Sequence, residues 1–219
     1  MKKITIGFIL FAITLYSIGQ DNKLSVGLTG SIGVNNYYFK ETGFNYEYNS
    51  RIGYSYGLGF QYFVVDKIFI NSGLEHSTQG YQIKYNYIIM DPGDPAIPRQ
   101  SDLTVSYLSI PIMIGFQLMD INRIRFNPSV GISLSFQVNE NERTIYEDDS
   151  ERESRLISQN LNQAQFMLKM EFGIEYHMSE RFKILLDPHI GKGLNKLDTK
   201  SMKASQFSYG GTLGLYFKF

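Results

Sequence analysis

The chain has 219 residues, with 21 basic and 21 acidic side chains and no cysteine. A formal net charge of zero leaves no basic surplus for nucleic acid and no acidic surplus for a cationic partner. Without cysteine there is no disulfide framework, no thiol nucleophile and no thiolate metal site.

The first residues read as a secretory leader. Lys2 and Lys3 are charged, and Ile4 to Tyr16 is apolar but too short to cross a bilayer as a helix. Ser17-Ile18-Gly19 places small residues where a signal peptidase reads, so the expected division is a signal peptide over 1–19 and one β-barrel domain over 20–219. No later apolar run is long enough for a membrane helix. A membrane location then requires a closed barrel, the other fold that satisfies every backbone group in lipid.

Eight segments alternate between apolar and polar or tiny residues, the period-two signature of a strand with one apolar face. The first runs from Leu24 to Asn36, with Leu28, Ile32 and Val34 on its apolar face. A polar, aromatic loop is expected over Tyr37 to Ser50. The second strand, Arg51 to Val64, carries Ile52, Tyr54, Tyr56, Leu58, Phe60 and Tyr62 on one face and Gly53, Ser55, Gly57, Gly59 and Gln61 on the other. After a turn at Asp66-Lys67 the third runs from Ile68 to Gln79. A long loop is expected over Gly80 to Leu103, and the fourth strand spans Thr104 to Leu118. A short turn leads to the most regular strand, Ile124 to Val138, where Ile124, Phe126, Val130, Ile132, Leu134 and Phe136 oppose Arg125, Asn127, Ser129, Gly131, Ser133 and Ser135. The charged stretch Asn139 to Gln163 is expected to be a loop. The sixth strand (Ala164 to Met178), a turn at Ser179-Glu180 and the seventh (Arg181 to Gly191) follow. A loop over Lys192 to Ser205 leads to the last strand, Gln206 to Phe219. Pro128 and Pro188 fall on apolar faces inside strands, where they remove ladder donors and suggest bulges.

The connections alternate long and short, and the apolar faces carry no Lys, Arg, Asp or Glu. Each strand reaches the roughly 9–11 tilted residues that cross a bilayer. The expected architecture is all-β: an eight-stranded antiparallel up-and-down transmembrane barrel in a Gram-negative outer membrane. Short turns and both termini would be periplasmic and the long loops extracellular. The outward aromatic Phe219 ends the last strand, as expected of a chain delivered to the barrel-assembly machinery. A soluble lipocalin-like barrel has the same strand number with apolar residues inside. The many glycines on the polar face favour the membrane phase, because small residues suit the narrow lumen of eight strands.

With that phase, Glu75, Arg125, Lys169, Glu171, Glu175, Lys183, Asp187 and Lys218 line the lumen, with His177 and His189. Four are basic and four acidic, and buried charges persist when paired and hydrogen-bonded. The expectation is a structural charge network: Glu75, Lys169, Glu171 and Asp187 near mid-membrane, the others nearer the periplasm. Asp187 and His189 share a face, which raises a lipid-modifying enzyme as an alternative, beside a small-solute channel. No catalytic, cofactor or metal site is assigned. The acidic stretch after Val138 lacks the spacing of a calcium loop.

Several stretches resemble the PorT-like outer-membrane β-barrel family of Bacteroidota. They are GLGFQYFVVDKIFINSGLEHSTQG (Gly57 to Gly80), VSYLSIPIMIGF (Val105 to Phe116), FNPSVGISLSF (Phe126 to Phe136), MEFGIEYHMSERFKI (Met170 to Ile184) and the terminal YGGTLGLYFKF. The segment Tyr107 to Ile112 is the most specific, and its Pro111 is then a family feature. The resemblance implies an outer-membrane barrel without assigned catalytic residues. It also implies envelope partners, among them proteins of an export apparatus. The expected function is a non-enzymatic envelope scaffold or accessory component with a plugged lumen.

Overall fold

The computed structural model describes residues 23–39, 46–85, 98–155, 164–195, 197–199 and 202–219. The leader expected over 1–19 lies outside these residues. Eleven strands form: β1 (Leu24–Phe39), β2 (Tyr46–Val65), β3 (Ile68–Tyr85), β4 (Pro98–Phe116), β5 (Met119–Ile121), β6 (Ile124–Tyr146), β7 (Glu151–Arg155), β8 (Ala164–His177), β9 (Phe182–Gly193), β10 (Leu197–Thr199) and β11 (Met202–Lys218). The eight long ones pair antiparallel in the order β1-β2-β3-β4-β6-β8-β9-β11. Strand β11 then pairs back onto β1, from Ser25 with Lys218 to Phe39 with Ala204, and closes the ring. The short β5 and β7 both add to β6, and β10 adds to β11.

The apolar faces point outward around the ring. Leu28, Ile32, Ile52, Ile114, Val130, Phe172 and Leu213 are large, apolar and exposed. In water such a belt would be a severe liability; against lipid it is the face the fold needs. Tight connections join β2 to β3 at Asp66-Lys67 and β8 to β9 over residues 178–181. At the turn between β5 and β6, Asn122 takes φ 56°, a left-handed conformation that asparagine tolerates better than most side chains.

The strands run further at the opposite end than expected. Strand β1 continues to Phe39, β2 begins at Tyr46, β3 continues to Tyr85, β4 begins at Pro98 and β6 continues to Tyr146. The expected loops at Tyr37–Ser50, Gly80–Leu103 and Asn139–Gln163 are therefore partly strand. The physical reason is a change of phase. Beyond the apolar belt, Tyr81, Leu103, Val105 and Tyr107 are buried inside the sheet, with Tyr37, Tyr48 and Ile83 packed on them. Polar residues such as Lys84, Asp102, Thr104 and Ser106 occupy the alternate positions. Two bulges reset the alternation. Between Ser50 and Tyr54, four residues of β2 span three of β3. Ser106 pairs with Asn139 while the next residue, Tyr107, pairs with Gln137, so Val138 is extra in β6. One added residue sends every following side chain to the other face.

The prolines behave differently from the expectation of bulges. Pro128 pairs with Phe172 in an unbroken register. At Pro188 the ladder between β8 and β9 lapses between Glu171–His189 and Ile174–Leu186, with no shift in register. The missing N–H interrupts pairing without displacing it.

Candidate functional site

The interior of the ring is filled in layers. Nearest the short turns, Phe63 and Phe69 lie 5.4 Å apart between ring centroids, and Phe69 is fully buried. Its ring occupies the space over Gly115: a Cβ built there would lie 2.0 Å from the Phe69 ring. Tyr216 is accommodated in the same way by Gly27, Gly59 and Gly214, where any added Cβ would fall within 2.6 Å of the ring or its hydroxyl. Lumen glycines here are the counterpart of large inward rings.

Against these rings sits a buried charge cluster. The Glu175 carboxylate has 0% exposure. Its Oε1 accepts from Lys183 Nζ at 3.0 Å and from Gln61 Nε2 at 2.9 Å. Lys183 also donates to Gln61 Oε1, and its ammonium lies 5.9 Å and 5.6 Å from the Phe63 and Tyr216 ring centroids. Both distances lie within cation–π range. His177 Nε2 is 3.3 Å from Glu175 Oε2. The residues are brought together by strand parity: Glu175 and His177 alternate inward on β8, and His177 pairs with Lys183 across the turn into β9.

A second cluster lies deeper. Lys169 Nζ is 3.2 Å from Glu171 Oε1, and the Ser129 hydroxyl donates to Glu171 Oε2 at 3.1 Å. Asp187 is buried, its carboxylate facing the bare surface of Gly173. Glu75 is partly buried on β3 and lines the same interior. His189 Nδ1 lies 3.4 Å from the Asp187 backbone carbonyl and 3.5 Å from the Thr212 hydroxyl. The Asp187 contact is thus to its backbone, and Asp187 and His189 form no side-chain dyad. Arg125 joins neither cluster; it bonds Asp120 at 2.9 Å beside the turn between β5 and β6, partly exposed. Lys218 is partly exposed at the end of β11.

Toward the extended ends of the strands comes an amide layer. Gln206 Nε2 donates to Gln79 Oε1 at 2.6 Å and to Asn35 Oδ1 at 3.0 Å, while the Tyr37 hydroxyl donates to Gln79 Oε1 at 3.3 Å. The apolar cluster of Tyr81, Leu103, Val105 and Tyr107 lies above it, the Tyr37 and Tyr81 rings tilted against each other with centroids 5.0 Å apart. Between the amide layer and the deeper charges lies a cavity of about 90 Å³.

Sequence reasoning identified the charged residues and missed the rings and amides that confine them. The signal was there: Phe63, Phe69, Tyr107, Met113, Leu185 and Tyr216 are large apolar residues at polar-face positions. In an eight-stranded lumen they have nowhere to go but across it. Among the described residues no cluster of His, Asp or Glu could hold a metal ion, and no helix is long and apolar enough to cross a membrane.

The chain is similar to several solved structures. The chain is 15% identical to Neisserial surface protein A, over 90% of this chain and 97% of that one, with a TM-score of 0.49. It is 12% identical to the outer membrane protein OprG from Pseudomonas aeruginosa, over 90% and 96%, with a TM-score of 0.48. It is 10% identical to the outer membrane protease OmpT from Escherichia coli, over 90% and 95%, with a TM-score of 0.43. No curated protein matches. The family model described as outer membrane protein beta-barrel domain matches residues 18–199, most of the chain and seven of the eight ring strands. The chain belongs to this outer membrane β-barrel family, and its place is the outer membrane.

Proposed function

We propose that this is a non-enzymatic outer-membrane barrel with a sealed lumen, serving as an envelope scaffold or accessory component. The observation that carries the reading is the plug at the end with the short turns. There the Phe63–Phe69–Tyr216 rings and the Gln61–Lys183–Glu175 cluster, drawn from β2, β3, β8, β9 and β11, cross the lumen; toward the other end the Gln206–Gln79–Asn35 amides and the Tyr81–Leu103–Val105–Tyr107 cluster narrow it. Eight strands leave room for side chains and little else. The inward charges serve as a structural network, with Glu75 and Asp187 held near Lys169 and Glu171.

In this reading the termini and short turns face the periplasm, and the extended strand ends stand in the external medium as the surface that meets partners. The polar outer face of those ends supports the orientation. The C-terminal strand, whose Phe217 meets Phe182 and Phe219 edge to face at 5.2 Å and 5.1 Å, is the segment that engages the assembly machinery. The stretches resembling the PorT-like family favour a role beside protein export. Planar-bilayer recording tests the closure: the purified protein gives no steady conductance steps, and steady steps would overturn the reading in favour of a channel. Mild-detergent isolation with a tagged loop then asks whether export components accompany it. An enzyme is tested separately: the outer lipids of a His189→Ala strain should match those of wild type.

A further inference from the structure

The lumen cavity is more than space left over beyond the packed end. Ser31, Ser55, Ser77, Ser109, Ser208 and the pair Ser133 and Ser135 line it, from β1, β2, β3, β4, β11 and β6 respectively. Six of the eight barrel strands thus turn a hydroxyl to one point. Packing alone would put Ala or Val at inward sites, as it puts Leu103 and Val105 above. A hydroxyl is both donor and acceptor, so the ring presents matched hydrogen-bonding capacity on all sides. Part of that capacity is unused by the protein. The Ser77 hydroxyl is buried and has no protein partner, whereas Ser109 and Ser135 bond each other at 2.8 Å. A buried hydroxyl left without a partner is costly, so its retention needs a compensating contact.

The charges at the wall are balanced. Lys169 and Glu75 both line the cavity, and Lys169 is committed to Glu171 at 3.2 Å. An anion entering would meet the Glu75 carboxylate, and a cation would meet Lys169. Neither could shed its water without an unmatched charge in the lumen. A volume of about 90 Å³ exceeds a single water's share of roughly 30 Å³.

We propose that this hydroxyl-ringed chamber is a binding site for a small uncharged polar solute, of the amide or polyol class, held between the packed end of the lumen and the amide layer. The inference rests on the closed-lumen reading, and the test separates the two. The absence of native cysteine permits a single reporter, Ser77→Cys, which removes no protein hydrogen bond. Iodoacetamide is a neutral amide, and iodoacetate is its anionic counterpart of nearly the same size. Their alkylation rates are each divided by the rate with a free thiol in solution. In otherwise unaltered S77C protein, neither reagent reacts until the barrel is unfolded; rapid reaction with both would overturn the closed lumen itself. With the outer cluster thinned by Tyr81→Ala, the neutral reagent should react at least about tenfold faster than the anionic one after correction. Equal corrected rates, or a faster anion, would overturn the chamber's selectivity and leave the closed lumen standing. Heat-modified migration on a gel confirms that each variant is folded. If Y81A fails that check, Gln206→Ala opens the amide layer instead. Failure of both reagents to react in a folded, opened variant would also overturn the proposal, because the chamber would then lie off any path from outside.

Discussion

The same strands obey opposite rules at their two ends. Around the ring, Ile132 points out and Ser133 points in; above it, Leu103 points in and Asp102 points out. The chemistry of the chain changes because the medium outside changes. Against lipid the interior must be the polar side, and in water it must be the apolar side. On β2 and β6 the switch is made by one extra residue each, a way to change faces without ending the strand. On β3 and β4 parity is constant and the residues themselves change, from Ser77 to Tyr81 and from Ser109 to Val105. The membrane boundary on this side is therefore written into the sheet.

Ion pairs offer the sharpest way to break the comparison. Arg143 bonds Glu151 between β6 and β7 at 2.5 Å, a shorter contact than the 3.0 Å between Lys183 and Glu175. Distance would rank the outer pair higher; burial reverses the order. Glu175→Gln strands a buried ammonium and should cost about 3–5 kcal/mol. The loss would appear as a lower denaturant midpoint for the barrel folded in detergent or lipid. Glu151→Gln, at a half-exposed site on the outer surface, should leave that midpoint unmoved. Equal shifts would mean that the lumen is as wet as the outside and the plug is not tight.

The second contrast concerns the outer faces. Ile132→Arg puts a charge on the lipid face near mid-membrane and should cost ~2–4 kcal/mol. Ser106→Arg, outward on β4 beside the bulge, should change stability by about 0.5 kcal/mol or less. A cost at Ser106 as large as at Ile132 would place lipid higher than the phase change indicates.

How far the fold could be read follows from the same contrast. Strand number, order and the lipid face were legible because lipid allows one pattern, sustained over the span of Ile124 to Val138. The outer ends were not, because their alternation inverts. Tyr81 and Leu103 look like loop residues to a rule that wants apolar side chains facing out, and a one-residue bulge at Val138 hides the continuity of β6. The charged lumen residues were legible by parity, since Glu171, Glu175, Lys183 and Asp187 all fall on polar-face positions. Which of them touch was not, because contact across the lumen depends on strand tilt and shear, which alternation does not record. Hence Gln61, distant in the chain, emerges as a partner of Glu175 and Lys183, and Arg125 turns aside to Asp120. The serine-ringed chamber was equally hidden: serines read as small lumen residues until six strands bring them to one place.

The third test asks whether the outer ends stand on their own packing. Leu103→Ala removes a buried side chain from the upper cluster and should cost about 2 kcal/mol, the low end for such truncations, because few residues surround it. The loss should be local. Hydrogen exchange should quicken in β3 beyond Gln79 and in β4 before Tyr107, while amides of the ring keep their protection. Faster exchange throughout the ring would show instead that both phases unfold as one unit.

The smallest effect belongs to the turn between β6 and β7. There the Asp148 carboxylate accepts from the Ser150 hydroxyl at 2.5 Å and from its amide at 3.0 Å, and these bonds hold its pKa below the usual carboxylate range. A lowered folded pKa means that the stabilisation is present above the unfolded value and is lost as pH falls through the folded one. Acidification below the carboxylate range should therefore loosen this turn first, releasing Asp149 from its left-handed φ of 58°. The Ser150 amide should shift and exchange faster at low pH, corrected for intrinsic rates, and Asp148→Asn should blunt the change. The ring, whose acids lie inside the lumen, should show no matching transition over that interval. A ring transition coinciding with the turn's would mean that protons reach the lumen as freely as they reach the outer surface, and the distinction between the two ends would fail.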